Sequence, residues 1–266
     1  MKISKANESS IDCRPSPGHG RSVAITGKGG TGKTMLATLM IKILSENGNR
    51  KILAIDADSA VSLPYTLGIT AGKTVSDIRR EIIEVPEVKR RIADQHIRTV
   101  MTSILETGKG FDLLIMGRPE EPGCFCAVND LLRYGIDTLV QDYNITIIDG
   151  EAGPEQVNRR VLKSIDTLLV VADMSARSLQ TASTIIKVAQ GHGNVKVVRT
   201  GLILNRFRGK RSPVKKITQQ MGLEILGYIP EDENVNYYDG VGRPLLELPA
   251  DSSSLMAVRQ ILKQIM

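Results

Sequence analysis

The chain of 266 residues contains no tryptophan, and aromatic side chains make up only 3% of it. So few rings give no row of stacking platforms for single-stranded DNA or for RNA bases. Histidine is nearly as scarce, with His19, His96 and His192 scattered at no metal-ligand spacing. Cysteine occurs at positions 13, 124 and 126, too few for a disulfide framework in a chain this long, so a reducing, cytoplasmic setting is expected. No apolar run approaches the roughly 18 residues that span a bilayer, and residues 1–20 are polar, without the apolar centre of a secretory signal. They read as a flexible extension ahead of a single domain over 21–266.

What is present fits a soluble globular protein, with 41% hydrophobic and 24% charged residues. The net charge of +6 is local: Arg206, Arg208, Lys210, Arg211, Lys215 and Lys216 lie in a stretch without an acid, and the rest of the chain is formally neutral. That patch is a solvated loop and helix start, a docking surface for an acidic protein, or a minor aid to nucleotide binding. No nucleic-acid or membrane partner is expected.

Strand-like runs at 22–26, 51–55, 111–116, 145–148, 167–172, 201–204 and 224–228 alternate with helical patterns at 33–46, 88–105, 126–139, 155–164, 179–190, 214–221 and 253–265. Several of the strands are continuously apolar, which predicts an α/β fold with a mostly parallel central sheet covered by helices on both faces. In such sheets the ligand sits beyond the carboxyl ends of the strands, so the chemistry is sought there.

After the first strand, residues 27–34 read GKGGTGKT and satisfy the phosphate-loop pattern between a strand and a helix. Glycines let the backbone wrap a polyphosphate so that N–H groups and the helix N-terminus face the anion. Lys33 is expected on the β- and γ-phosphates and the Thr34 hydroxyl on Mg²⁺. Nucleotide contacts are assigned to Gly27, Lys28, Gly29, Gly30, Thr31, Gly32, Lys33, Thr34 and Met35. Lys28 is a second lysine at the loop's start, where a side chain tends to point away from its own nucleotide and is free to serve a neighbour's.

These residues resemble the deviant Walker A group of P-loop NTPases, which includes nitrogenase iron protein, MinD and ParA proteins and CooC-type nickel-insertion ATPases. The resemblance implies ATP hydrolysis with ATP/ADP and Mg²⁺, and a homodimer in which Lys28 reaches the partner's phosphates. It also gives roles to other strand ends. Asp56 and Asp58, at i and i+2, are expected to point the same way, with Asp58 near the attacking water and Asp56 supporting the metal site; a turn or helix cap is the alternative use of these acids. Ser59 and Ala60 stand where many relatives have Pro or Asp. Asp149 ends an apolar strand as a Walker B carboxylate does, and Gly153 after it matches a second switch. Asn205, with Arg206 beside it, matches an adenine reader, and Pro230 and Glu231 match a loop packing on base and ribose. Asn205 as a plain turn residue is the alternative.

Cys124 and Cys126 follow a Pro/Gly-rich stretch at a helix start, where the helix dipole and Arg118 favour thiolates. Two sulfurs from one loop fall short of the four ligands a soft ion takes in a closed site, and a second copy of the loop on a two-fold axis completes the set. The alternative is a pair of buried small hydrophobes. The C-x-C placement resembles the CooC type, implying Ni²⁺ as cargo, with Zn²⁺ possible in its place, and a client nickel metalloenzyme such as carbon monoxide dehydrogenase or acetyl-CoA synthase. The rivals are a reductase with an interfacial iron–sulfur cluster and a MinD/ParA-like positioning ATPase, for which Leu255, Val258, Ile261, Leu262 and Ile265 offer a membrane-seeking stripe, although such a stripe more often simply docks on the sheet.

Overall fold

The computed structural model describes residues 20–46, 48, 50–87, 96–118, 126–151, 162, 164–191 and 196–266. In chain order the elements are β1 (Arg21–Gly27), α1 (Lys33–Ser45), β2 (Ile52–Asp56), α2 (Leu63–Leu67), α3 (Val75–Glu84), α4 (Ile97–Thr102), β3 (Glu106–Gly108) and β4 (Phe111–Ile115). There follow α5 (Cys126–Val140), β5 (Ile145–Asp149), β6 (Ser164–Ala172), α6 (Ala176–Gln190), β7 (Lys196–Phe207), α7 (Arg211–Gln220), β8 (Ile225–Pro230), α8 (Glu233–Gly240), a 3-10 turn (Leu245–Glu247) and α9 (Ser253–Ile265).

The eight strands form one sheet in the order β3-β4-β2-β5-β1-β6-β7-β8. Every pairing is parallel except the hairpin of β3 with β4. This is the α/β architecture expected from the continuous apolar runs. Alternation sends Val23 and Ile25 of β1 into the core that α1 and α9 cover, while Ala24 enters the opposite core against α5 and α6. On β2 the assignment alternates again, Leu53 and Ile55 to one layer and Ala54 to the other. Both faces are therefore dry, and β2 and β5 are buried along their whole length.

The stripe Leu255, Val258, Ile261, Leu262 and Ile265 is buried against the sheet and α1, at most 8% exposed, so it is core and not a membrane-seeking face. No helix among the described residues is long and apolar enough to cross a membrane.

Other departures are local. Of the helix expected over 88–105, the described part contains α4 alone, and 88–95 lie outside the described residues. The helix expected over 155–164 falls almost wholly outside them, and Ser164 opens β6 instead. The unexpected α3 starts at a capping box in which Thr74 and Asp77 bond each other's backbone N–H groups, at 3.1 and 3.0 Å.

Because seven strands run the same way, β1, β2, β5, β7 and β8 deliver their carboxyl ends to one edge of the sheet. Register places Asp56 directly beside Asp149 and Asp149 beside Ile25. The expected chemistry is thus brought to one place by strand pairing alone.

Candidate functional site

The phosphate loop is pressed between its neighbours. Gly27 has φ 148°, and a β-carbon there would sit 2.2 Å from the Val171 carbonyl oxygen of β6. Gly32, at φ 91°, begins α1, and a β-carbon would sit 2.2 Å from the side-chain nitrogen of Asn205. Only glycine fits both positions. Asn205 is 1% exposed, and its amide donates to the Thr31 carbonyl at 2.7 Å, so β7 clamps the loop from the side. Thr31 in turn donates its hydroxyl to the Lys28 carbonyl at 2.8 Å. Helix α1 has neither a side-chain cap nor an acid in its first turn. Its first N–H groups therefore face the loop without a protein partner of the usual kind, which suits an anion.

Above the loop is a cavity of about 570 Å³. Its walls are Gly29, Gly30, Gly32, Lys33, Thr34 and Met35 from the loop, Asp58, Val61 and Tyr65 from the segment after β2, and Asn205, Arg206, Pro230 and Glu231 from the far strands. Gly27, Lys28 and Thr31 do not line it. Lys28 is exposed, and its charge acts on Asp173. Burial opposes ionisation of Asp173, but bonds from Ser175 and the Lys28 charge outweigh it and hold the carboxyl below its ordinary range.

The acids divide differently from the i, i+2 reading. Asp58 lines the cavity, whereas Asp56 is fully buried behind it and accepts the N–H of Asp58 at 3.1 Å and of Leu63 at 3.0 Å. β2 ends at Asp56, so strand alternation no longer governs Asp58, and Asp56 closes the turn as an Asx cap would. Burial pushes Asp56 up to about 6 against those two bonds. Asp149 is also fully buried, and neither carboxylate oxygen has a hydrogen-bond partner of normal geometry among the described residues. Burial, helped by Asp56 and Asp58, pushes it up to about 7, while the adjacent Thr34 hydroxyl and Lys33 draw it down.

Between Asp58 and α2 the chain is strained. Val61 has φ 51°, a left-handed conformation that a β-branched residue rarely adopts. Ser59 is held from two sides: its N–H donates to Glu151 at 2.9 Å, and its carbonyl accepts from Arg118 Nε at 2.9 Å. Glu151 follows Asp149, and Arg118 follows β4, so three strand ends are joined at this residue.

An orphaned, buried carboxylate beside a threonine hydroxyl at a phosphate loop fits Mg²⁺, which takes one or two protein ligands and completes its shell with phosphate and water. Among the described residues no three His, Cys, Asp or Glu side chains gather as a metal cage. Cys124 and Gly153 lie outside the described residues, and Cys126 is described only as the first residue of α5. Sequence reasoning missed Val61, Tyr65 and the Ser59 grip; nothing in their local sequence marks them.

A model of the CobQ/CobB/MinD/ParA nucleotide-binding domain matches residues 22–245. An uncharacterized ATP-binding protein of Methanocaldococcus jannaschii is 38% identical over 248 residues, covering 91% of this chain and 97% of that protein. The carbon monoxide dehydrogenase accessory protein CooC of Rhodospirillum rubrum is 27% identical over 239 residues, covering 85% of this chain and 89% of its own length. In fold, the septum site-determining protein MinD of Pyrococcus horikoshii, solved with Mg-ADP, superposes with a TM-score of 0.68 at 22% identity, covering 92% of this chain and 95% of its own.

Proposed function

The chain belongs to the CobQ/CobB/MinD/ParA nucleotide-binding family, and from that premise we propose that residues 21–266 form an Mg²⁺-dependent ATPase that closes as a dimer on ATP. We infer further that it carries nickel between Cys124 and Cys126 of two copies and delivers it to a nickel metalloenzyme. The observation that carries the first part is the pairing of an uncapped α1 N-terminus with a buried Asp149 that lies behind the loop, next to Thr34 and Lys33. The loop glycines, Lys33 and the α1 N–H groups bind the β- and γ-phosphates. Thr34 and Asp149 would hold Mg²⁺ and its water, and the ion would supply positive charge against the phosphates. Asp58, the acid on the cavity wall, orients the attacking water. Asn205 holds the loop while it lies beside the base, with Arg206, Pro230 and Glu231 completing that end.

Lys28 supports the dimer because it stands outside the lining of its own cavity, on the exposed side of the loop. The cargo rests on the C-x-C sequence and on the similarity to CooC. If metal and nucleotide share one interface, each must change the other's affinity by the same factor.

The test is nickel and zinc titration with ADP and with a non-hydrolysable ATP analogue, alongside molar mass in solution. The expected result is one metal ion per dimer, bound more tightly with the ATP analogue and lost in Cys124→Ser with Cys126→Ser. Unchanged metal binding in that variant would remove the cargo reading, and a coloured iron cluster would favour the reductase. Lys28→Gln is expected to bind nucleotide yet neither dimerise nor hydrolyse it; normal turnover would end the proposed role of Lys28.

A further inference from the structure

β8 is the outermost strand at one end of the sheet and pairs with β7 alone among the described strands. Natural edge strands are usually blunted by lysine, an inward charge or a covering element. β8 reads ILGYIP, with no charge and with proline only at its last position. Along it runs a groove of about 500 Å³ whose floor is Ile225, Leu226, Gly227 and Tyr228. Consecutive residues point to opposite faces of a strand, so a groove floored by four in a row follows the open edge rather than one face.

One wall of the groove, at Arg211, opens onto the basic segment. All six of its cations are exposed. Arg208 pairs with Glu231, and Arg211 lies 4.7 Å above the Tyr228 ring. Arg206, Lys210, Lys215 and Lys216 have no acidic partner among the described residues, and Ile217 beside them is 47% exposed. The opposite wall, from α9, is neutral, with Gln260 and Gln264.

We propose that the β8 edge is a docking site for an acidic, extended segment of a partner protein, which adds to the sheet as a further strand. Backbone donors and acceptors along the edge give the affinity, the apolar floor takes alternate side chains, and the unpaired cations select acids. A second copy of this chain fits poorly, because an edge-to-edge pair would bring two basic walls together. Nucleic acid fits poorly too, because Arg211 already covers the Tyr228 ring that a base would stack on.

The experiment uses the full chain and a fluorescein-labelled peptide of alternating glutamate and valine, read by anisotropy at low and moderate salt. Binding is expected to weaken about tenfold in the Lys210→Glu, Lys215→Glu, Lys216→Glu variant and with added salt. It should weaken about as much when alternate peptide nitrogens are methylated, since that removes ladder bonds and leaves charge unchanged. ADP affinity of the triple variant should stay at the wild-type value, which certifies its fold. Peptide-dependent slowing of amide exchange in 225–230 would locate the contact. Equal binding of the methylated peptide, equal binding of a lysine–valine peptide, tighter binding of duplex DNA, or self-association through 225–230 would each overturn the proposal.

Discussion

Replacing Asp149 by Asn should make the nucleotide-free protein more stable at alkaline pH while removing its response to Mg²⁺. The folded carboxyl titrates near 7 against an ordinary 3.8, so the folded state holds this proton more tightly than the unfolded state does. Stability therefore falls as pH rises through that window, and the loss is complete above it. At about 1.4 kcal/mol per tenfold change in proton affinity, the full cost of ionising Asp149 is roughly 4 kcal/mol, and about 2.5 kcal/mol of it falls between pH 5 and pH 8. Asn has nearly the same shape and no charge, so that part should vanish in the variant. Asp56, also raised, remains in both proteins, but it is coupled to Asp149, so the difference between the two pH profiles belongs to the pair. Urea unfolding followed by far-ultraviolet circular dichroism suits a chain without tryptophan. Wild type should lose about 2.5 kcal/mol more than Asp149→Asn between those two pH values, and Mg-ADP should restore it to wild type alone. Parallel pH profiles for the two proteins would refute the burial argument, because they would mean that Asp149 keeps an ordinary affinity for its proton.

Two substitutions test the loop itself. Gly27→Ala places a β-carbon 2.2 Å from a backbone oxygen that cannot swing aside, and should cost about 2–4 kcal/mol in thermal or urea unfolding, with loss of ADP binding; a wild-type melting curve would show that β6 yields. Asn205→Ala takes a buried donor from the Thr31 carbonyl and should cost about 1–3 kcal/mol, with weaker ADP binding by calorimetry; unchanged affinity would mean that the loop holds its shape unaided.

The loop after β1 was legible because its geometry can be built only from particular residues, with glycine at 27, 30 and 32, where φ is positive. β2 and β5 were legible because burial on both faces leaves them nearly all apolar, with Thr146 the one polar residue ahead of their terminal acids. For Asp56 and Asp58 the turn alternative describes Asp56, because a period of two holds only while the strand continues, and it stops at Asp56, leaving Asp58 on the cavity wall. Helix α3 was missed although its cap is written in the sequence as Thr74 followed by Asp77. The contact of Asn205 with the loop spans 174 positions along the chain, and no local pattern encodes it. Val61 has the opposite difficulty, because its side chain argues against the backbone conformation it adopts.

The two ends of the sheet are unequal. β3 closes one as a three-residue hairpin arm, too short to template another strand, while β8 has no further strand beside it among the described residues. A subunit with one open edge has a valence of one for strand addition, so association by that route stops at a single partner and cannot grow into a fibre. Two such subunits joined through their nucleotide faces would present two edges at once. A partner carrying two acidic segments would then be held by avidity, released as soon as the pair separates, and its grip would report nucleotide state without any change at the edge itself.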